Sequence, residues 1–315
     1  MEKIKIGVSS CLLGEKVRYD GGHKHDRYIT DTLGNFFEYI PVCPEVECGL
    51  PVPREAMHLV GDHKSPRLIT IRTGIDHTEK MLKWIEKKLI RLGEENLCGF
   101  IFKSRSPSSG IKDVKIYSSS GMPSGKGEGL FGGAFIRTFP NIPVIDEGRL
   151  HDPVLRENFI ERVFIFYKWQ KLLEDSYNLK GLINFHTNHK LIIMSHSQKH
   201  LSLLGKLVAD AKTKSKDNLF SEYINLLTEA MKLIATVKKN TNVLQHIAGY
   251  FKNNLSHDDK QELSEIINNY HKGFIPLIVP VTLLNHYTRK FNISYLKDQA
   301  YLNPHPLELM LRNHV

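Results

Sequence analysis

The stretch LCGFIFKSRSPSSG, residues 97–110, decides the fold that the first half of the chain is predicted to adopt. Residues 97–102 form an apolar run of the length of a buried strand, and residues 103–110 form a loop rich in serine with proline and glycine. A strand that ends in such a loop is typical of an open α/β sheet, in which ligands bind at the carboxyl ends of the strands. The stretch therefore predicts an α/β unit with a candidate site in this loop.

Two earlier loops have the same arrangement, and each of them carries cysteine. A strand-like run at 4–9 leads into SSCLLG at 9–14, and another at 37–42 leads into CPEVECG at 43–49. Because a parallel sheet gathers the loops at the carboxyl ends of its strands along one edge, we expect the three loops to meet there.

The order of the apolar segments predicts the architecture of both halves. In the first half, strand-like runs alternate with helical segments, which predicts a mainly parallel sheet with helices on both faces. From residue 180 onwards apolar residues recur almost throughout with helical spacing, which predicts an all-α domain. The predicted division is 1–150 for the α/β domain, 151–179 for a linking helix and linker, and 180–315 for the helical domain.

Composition excludes several classes of protein. An apolar content of 41% and a charged content of 24% are those of a soluble globular protein, and no apolar run approaches the roughly 18 residues of a membrane span. The N-terminus enters a strand-like run without a signal-peptide pattern, so we expect a cytoplasmic location and no membrane partner. Disulfides are rare in that compartment, and four cysteines within the first 98 residues therefore favour metal binding or catalysis.

Charge is concentrated in the second half. Residues 1–175 contain 26 Lys and Arg against 24 Asp and Glu, a net of +2, whereas residues 176–315 contain 17 against 10, a net of +7. This asymmetry indicates an anionic partner for the second half. A solvated basic surface without a partner is equally compatible with the composition.

Three cysteines are candidates for a metal centre: Cys11, Cys43 and Cys48. Three thiolates without a fourth partner suit a site with one open coordination position, and thiolates select zinc, copper(I) or iron–sulfur centres. A closed zinc site would need a histidine, for which the candidates are His23, His25 and His58. Buried cysteines that pack as small apolar residues are the alternative, and Cys98, inside a strand-like run, fits that alternative best.

The motifs of the chain resemble a known two-domain family. The first half is similar to the TudS-like thiouracil desulfidase domain at VSSCLLG (8–14), VRYDGG (17–22), CPEV (43–46), GLPVPR (49–54) and KSRSPS (103–108). The second half resembles the YbgA-type domain that follows it in two-domain members, at HKL (189–191), NVLQH (242–246), GYFK (249–252) and IPLIVP (275–280).

The resemblance implies an activity and a cofactor. It implies removal of sulfur from 4-thiouridine in tRNA, which returns uridine, with a [4Fe–4S] cluster held by three cysteines and a fourth iron open to the sulfur. The implied partner is tRNA, and no obligate protein partner is predicted. Two other hypotheses stay open: a noncatalytic RNA-binding protein that has lost the cluster, and a desulfidase of free thiolated bases or nucleotides.

One departure from the family lies in the opening stretch. Family members usually have SPSCG there, and that cysteine is the third cluster ligand, whereas this chain has Ser109 at the position. Most members lack a cysteine where this chain has Cys48. Because Cys48 follows Cys43 by five residues in the same loop, we hypothesise that it supplies the missing thiolate, so that Cys11, Cys43 and Cys48 hold the cluster.

The resemblance also assigns roles to polar residues. Glu45 is the predicted general base, and Ser106 is predicted to orient the substrate or relay a proton. The predicted substrate-binding residues lie in the same loop as Ser106: Lys103, Ser104, Arg105, Ser108 and Ser109. In the second domain, the predicted RNA contacts combine phosphate binding with base stacking: His286, Tyr287, Arg289 and Lys290.

Overall fold

The structure, a computed structural model, describes residues 3–314, which form two compact units that divide between Asp152 and Pro153. The first unit combines strands with helices, and the second consists of helices. The predicted fold class, an α/β domain followed by an all-α domain, is therefore confirmed.

The first unit contains a fully parallel sheet of four strands, β1 (Ile4–Ser9), β2 (Phe37–Val42), β5 (Phe100–Phe102) and β8 (Val144–Asp146), in the order β2-β1-β5-β8. Gly7 of β1 lies opposite Phe100 of β5, and a Cβ at Gly7 would meet the Phe100 ring at 2.2 Å, so only glycine fits there. The remaining strands of the unit are β3 (Met57–Val60), β4 (Arg67–Thr70), β6 (Val114–Tyr117) and β7 (Pro123–Gly127).

A second sheet joins the remaining strands in the order β4-β3-β6-β7, with antiparallel pairs at both edges and a parallel pair in the centre. Strand β7, with the sequence PSGKG, has the composition of a loop, and its pairing with β6 imposes the extended conformation.

Helix α2 covers the core with Met81, Ile85 and Leu92, the buried side chains of an otherwise charged helix. Helix α3 adds Phe131 and Phe135, whose rings lie 4.9–5.9 Å from that of Phe100. The helices of the first unit are α1 (Pro44–Glu47), α2 (Thr78–Glu94), α3 (Leu130–Thr138) and α4 (Glu147–Leu150).

The second unit begins with the long helix α5, which corrects the prediction of a separate linking segment at 151–179. Trp169 of α5 is 3% exposed and stacks on Tyr223 with 5.4 Å between ring centroids, so the helix belongs to the core of this unit. Its helices are α5 (Pro153–Asp175), α6 (Leu179–His196), α7 (Gln198–Ala209), α8 (Lys216–Lys232), α9 (Val237–Ala248), α10 (His257–His271), α11 (Ile278–Lys290) and α12 (Ser294–Lys297). None of the helices formed by residues 3–314 has the length and apolar character needed to cross a bilayer.

A buried ionic network ties the C-terminal segment to α5. Arg312 donates to Glu161 Oε1 at 2.8 Å, and both side chains are 4% exposed. Glu157, one turn earlier on α5, lies 3.5 Å from Arg312 Nε and 3.4 Å from His314 Nε2. Burial and the neighbouring Glu161 carboxylate raise the pKa of Glu157 to about 8, against the opposing influence of the Arg312 guanidinium.

Glu157 is predicted to contribute a progressive loss of stability to the second unit as the pH rises from about 4.5 to about 8, against the opposite contribution of His186 and His189, whose pKa values burial lowers to about 4 and about 3. Over that interval the folded state keeps the proton on Glu157 while the unfolded state releases it. Glu157→Gln should remove this contribution. The measurement is urea unfolding between pH 5 and pH 9, followed by Trp169 fluorescence in a Trp84→Phe background, because each unit contains one tryptophan. Parallel pH curves for the two proteins would contradict the prediction.

Candidate active site

A cavity of about 310 Å³ lies at the carboxyl ends of β1, β2 and β5. The three loops that the sequence places there do line it, because the strands are parallel neighbours and end side by side. The residues that line it and have chemically active side chains are Ser9, Ser10, Cys11, Arg18, Tyr19, Cys43, Glu45, Arg54, Met57, Lys103, Ser104, Arg105, Ser106 and Ser109.

Two of the three predicted metal-binding cysteines line this cavity. Cys11 lies in a single 3₁₀ turn after β1, and Cys43 lies between β2 and α1. Burial raises the pKa of Cys11 to about 11 and that of Cys43 to about 12, although the Lys103 ammonium opposes the shift at Cys11. In the absence of a metal, both groups are therefore neutral thiols at physiological pH.

Cys48 does not line the cavity. Its thiol donates to the carbonyl oxygen of Glu45 at 3.2 Å, and its side chain packs in the core with Val42 and Leu50. Cys43 has an extended backbone immediately before the four-residue helix α1, whereas Cys48 follows its last residue, so the two thiols leave the chain at opposite ends of the helix. Closeness in sequence to Cys43 therefore does not place Cys48 on the same face.

The histidines considered for a closed zinc site lie elsewhere. His23, His25 and His58 are absent from the cavity wall, and the His58 ring packs against Tyr117 with 5.0 Å between centroids. Within residues 3–314, no group of three or more His, Cys, Asp and Glu side chains is arranged to hold a metal ion by itself. Cys98 is also buried away from the cavity, with its thiol directed at the carbonyl of Asn96.

Glu45 is at the centre of a chain of hydrogen bonds. Its Oε1 accepts a hydrogen bond from the Ser108 hydroxyl, which lies 3.0 Å from the Ser106 hydroxyl. Its Oε2 lies 3.6 Å from Cys43 Sγ and 3.9 Å from Arg54 Nη2. The sequence predicts that Ser108 binds substrate, but Ser108 is fully buried and does not line the cavity. It instead connects Glu45 to Ser106.

The remaining loop residues divide between the cavity and solvent. Lys103 and Ser104 line the cavity and are held by Glu147, whose carboxylate accepts from Lys103 Nζ, from the Ser104 amide at 2.5 Å and from the Ser104 hydroxyl at 2.8 Å. Arg105 lines the rim, is exposed, and has a left-handed backbone with φ of 57°. The sequence reasoning missed Glu147, although it follows β8 and so ends at the same sheet edge.

The segment from Ser106 to Gly110 is fixed from behind by the start of α3. The Ser108 carbonyl accepts from the amides of Phe131 at 2.8 Å and Gly132 at 3.0 Å. A Cβ at Gly132 would meet the carbonyl oxygens of Gly110 and Ser109 at 2.6 and 2.7 Å, so the glycine permits this approach. The contact sets which loop side chains face the cavity.

In the second unit, the residues predicted to contact RNA differ in their exposure. Tyr287 is 4% exposed and packs against Phe251 and Phe291, so its ring is not available to stack on a base. His286, Arg289 and Lys290 are exposed on the same helix.

A different surface of this unit is a groove between α9 and α10 with a volume of about 1030 Å³. Lysine and amide side chains line the groove. They recur with helical spacing, and this pattern can be read from the sequence. The basic and amide residues of the groove are Lys238, Lys239, Asn242, Gln245, Lys252, Lys260, Asn268 and His271.

Comparison with known proteins places the cavity in a known kind of domain. Residues 6–147 match the family described as 2-thiouracil desulfurase, and residues 190–306 match a family described as a protein of unknown function, DUF1722. The parallel-sheet unit with its cysteine-bearing cavity is thus a domain of the 2-thiouracil desulfurase type.

Two curated proteins and one solved structure are similar to parts of this chain. YbbK of Bacillus subtilis (strain 168) is 33% identical over 110 residues, which are 33% of this chain and 72% of YbbK. The chain belongs to the family of YbbK. YbgA of Escherichia coli (strain K12) is 28% identical over 153 residues, 48% of this chain and 90% of YbgA. A solved structure described as a [4Fe-4S]-dependent thiouracil desulfidase, TudS, is 32% identical and covers 48% of this chain and 95% of its own, with a TM-score of 0.39.

Gly132→Ala is predicted to destabilise the first unit by about 1–3 kcal/mol, because the added methyl group is forced against the backbone of the Ser106–Gly110 segment. The measurement is urea unfolding followed by Trp84 fluorescence in a Trp169→Phe background, since Trp84 packs on Phe131. Gly93→Ala, on α2, is the matched control: its Cβ would meet only the Phe139 ring, at 3.7 Å, so it should stabilise by about 0.5–1 kcal/mol. Equal effects at the two sites would contradict the prediction.

Proposed function

We propose that this protein is an iron–sulfur-dependent desulfidase that converts 4-thiouridine in tRNA to uridine. The observation that carries the proposal is the cavity at the strand ends, where two buried thiols and a carboxylate meet on residues that match the 2-thiouracil desulfurase family. A thiolated pyrimidine is the substrate class that this match supports. The proposal goes one step further and places this thiolated pyrimidine within tRNA.

The chemistry of the cavity wall fits an iron–sulfur cluster in part. Cys11 and Cys43 supply two thiols, and the position of the third family cysteine supplies the hydroxyl of Ser109. Lys103 and Arg54 line the same cavity, and their positive charges offset the negative charge of a thiolate-bound cluster. When bound, the cluster would supply an open iron that acts as a Lewis acid towards the sulfur of the substrate.

The residues of the chain supply the acid–base chemistry. Replacing C=S by C=O takes the oxygen from one water molecule and releases the sulfur as hydrogen sulfide, so a proton must leave the attacking water. Glu45 is the carboxylate positioned to accept this proton, and Arg54 lies beside it. Ser108 links Glu45 to Ser106, and Ser106 faces the cavity, so the three groups form a path for returning the proton to the departing sulfur.

Lys103 and Glu147 position the entrance of the loop. The Glu147 carboxylate accepts hydrogen bonds from both the Lys103 ammonium and the Ser104 amide. The Lys103 amide donates a hydrogen bond to Ser9 Oγ at 2.9 Å. These bonds join the ends of β1, β5 and β8. The ammonium is thereby kept at the cavity wall, where it can contact an electronegative edge of the base.

The second unit supports the tRNA part of the proposal. The net charge of +7 over residues 176–315 provides the electrostatic attraction that nonspecific RNA binding needs. The exposed cations of α11 and the lysine-lined groove between α9 and α10 are the surfaces available for phosphates. The thiolated base must also leave its stack to enter a cavity, at a cost of a few kcal/mol.

The test of the proposal is anaerobic reconstitution followed by incubation with tRNA that contains 4-thiouridine. Loss of the near-ultraviolet absorbance of the thiolated base, with release of sulfide, is expected. Free 2-thiouracil and 4-thiouridine monophosphate are the comparison substrates: faster turnover of either would move the substrate from tRNA to the free compound. Tight tRNA binding without sulfide release from any substrate would favour the noncatalytic alternative.

Glu45→Gln is expected to lower kcat at least about 100-fold, because it removes the proton acceptor while keeping the shape of the side chain. Ser108→Ala should lower kcat by less and leave KM nearly unchanged, because Ser108 acts through Glu45 and does not line the cavity. Steady-state kinetics on reconstituted protein measure both effects. Glu38→Gln, at an exposed position of β2, is the control for loss of a negative charge. Full activity of Glu45→Gln would remove Glu45 as the base.

Replacing Lys252 and Lys260 by alanine is expected to weaken tRNA binding and to reduce the slope of log Kd against log salt by about one for each phosphate that is no longer neutralised. Turnover of free 2-thiouracil should not change. Fluorescence anisotropy of labelled tRNA over a salt series is the measurement. Lys206→Ala, an exposed lysine of α7 outside the groove, is the control. If only Lys206→Ala changes the slope, the groove is not the binding surface.

A further inference from the structure

We propose that Ser109, and not Cys48, is the third protein ligand of the iron–sulfur cluster, so that the cluster is held by two thiolates and one serine oxygen. This inference rests on the proposed function, since it concerns the cofactor of the same site. It replaces the hypothesis that a cysteine elsewhere in the chain compensates for the serine.

The position of Ser109 suits a ligand of the cluster. Ser109 is 3% exposed and lines the same cavity as Cys11 and Cys43. Its amide donates to Ser106 Oγ at 3.1 Å, which anchors its backbone, and no hydrogen bond of its own hydroxyl is found among residues 3–314. Ser109 therefore lines the same cavity as the two cysteines, with a hydroxyl that is not engaged by another described residue.

The rigidity of the loop keeps residue 109 at the cavity. The Ser108 carbonyl accepts hydrogen bonds from two backbone amides of α3. The Gly129 amide donates a hydrogen bond to the Gly110 carbonyl at 2.7 Å. A Cβ at Gly129 would meet the backbone of Ser108 at 2.6 Å, so the loop and the helix are already at the closest distance they can take. The loop has no room to rotate residue 109 away from the cavity and to bring another side chain in.

The surroundings of Cys48 keep its thiol out of the cavity. For its thiol to reach the cavity, α1 would have to turn about its axis, and that would disrupt the bonds that hold this helix in place. The Cys43 amide donates to Glu47 Oε1 at 2.9 Å, Glu47 forms an ion pair with Lys88 at 2.9 Å, and Cys48 itself fills a place in the core. No such rearrangement is needed at Ser109, which already lines the cavity.

Ligand chemistry predicts how the two arrangements differ. A serine hydroxyl must release its proton to solvent to bind iron as an alkoxide, and an oxygen ligand is harder than the thiolate that iron–sulfur clusters prefer. We therefore expect the cluster of this protein to be bound but more easily lost than that of a variant with three thiolates. Removing the oxygen leaves two ligands and should loosen the cluster further.

The test compares cluster binding, without reference to activity, in four proteins: wild type, Ser109→Ala, Ser109→Cys and Cys48→Ala. Each is reconstituted anaerobically with ferrous iron and sulfide, and iron, acid-labile sulfide and visible absorbance are measured per chain. The rate of iron loss to a chelator is then followed. Circular dichroism establishes that each variant is folded.

Ser109→Cys is expected to retain its cluster longer than wild type, and wild type longer than Ser109→Ala. Iron release from Ser109→Ala should be at least about tenfold faster than from wild type, because loss of a direct ligand should weaken cluster binding at least as much as loss of a residue that only orients a ligand. Cys48→Ala should match wild type. Equal release from wild type and Ser109→Ala, or loss of the cluster in Cys48→Ala, would overturn the inference while leaving the proposed function intact. Failure of all four proteins, Ser109→Cys included, to take up iron and sulfide would instead overturn the cluster on which both depend.

Discussion

The contact between the Ser106–Gly110 loop and the start of α3 is the constraint on which the site depends. Amides of α3 bind the Ser108 carbonyl, and Gly129 and Gly132 allow the two backbones to touch. Because the loop is held on this side, its side chains separate into two sets. Ser106 and Ser109 face the cavity, whereas Ser108 turns towards Glu45.

A single sheet edge supplies most groups of the candidate site. The ends of all four parallel strands contribute: Cys11 after β1, Glu45 after β2, Lys103 after β5 and Glu147 after β8. Glu45 has neighbours of opposite kinds, because Arg54 provides a positive charge, Ser108 a hydrogen bond and Cys43 a thiol. A carboxylate held in this way is oriented before a substrate arrives, which is the condition for efficient proton transfer.

The two units differ in the features that the proposed activity on tRNA would need. The first holds a small, buried cavity whose walls are thiols, hydroxyls and cations, and the second carries most of the net positive charge. In the second unit, a buried arginine forms ion pairs with two glutamates of α5. Lysines of α9 and α10 line the groove between these helices. The electrostatic attraction of an anionic partner is thus expected mainly from the second unit, and the chemistry from the cavity of the first.

The sequence by itself determined the two fold classes, the meeting of three loops at one sheet edge, and the presence there of Cys11, Cys43, Glu45 and Ser106, because strand order and loop position follow from apolar patterning. Only the tertiary structure decided the fate of residues whose direction depends on packing. Cys48 packs in the core at the opposite end of α1 from Cys43, Tyr287 is buried against two phenylalanines, and Glu147 reaches Lys103 from 44 residues away. Side-chain direction and long-range pairing arise from three-dimensional contacts, and no local pattern in one sequence encodes them.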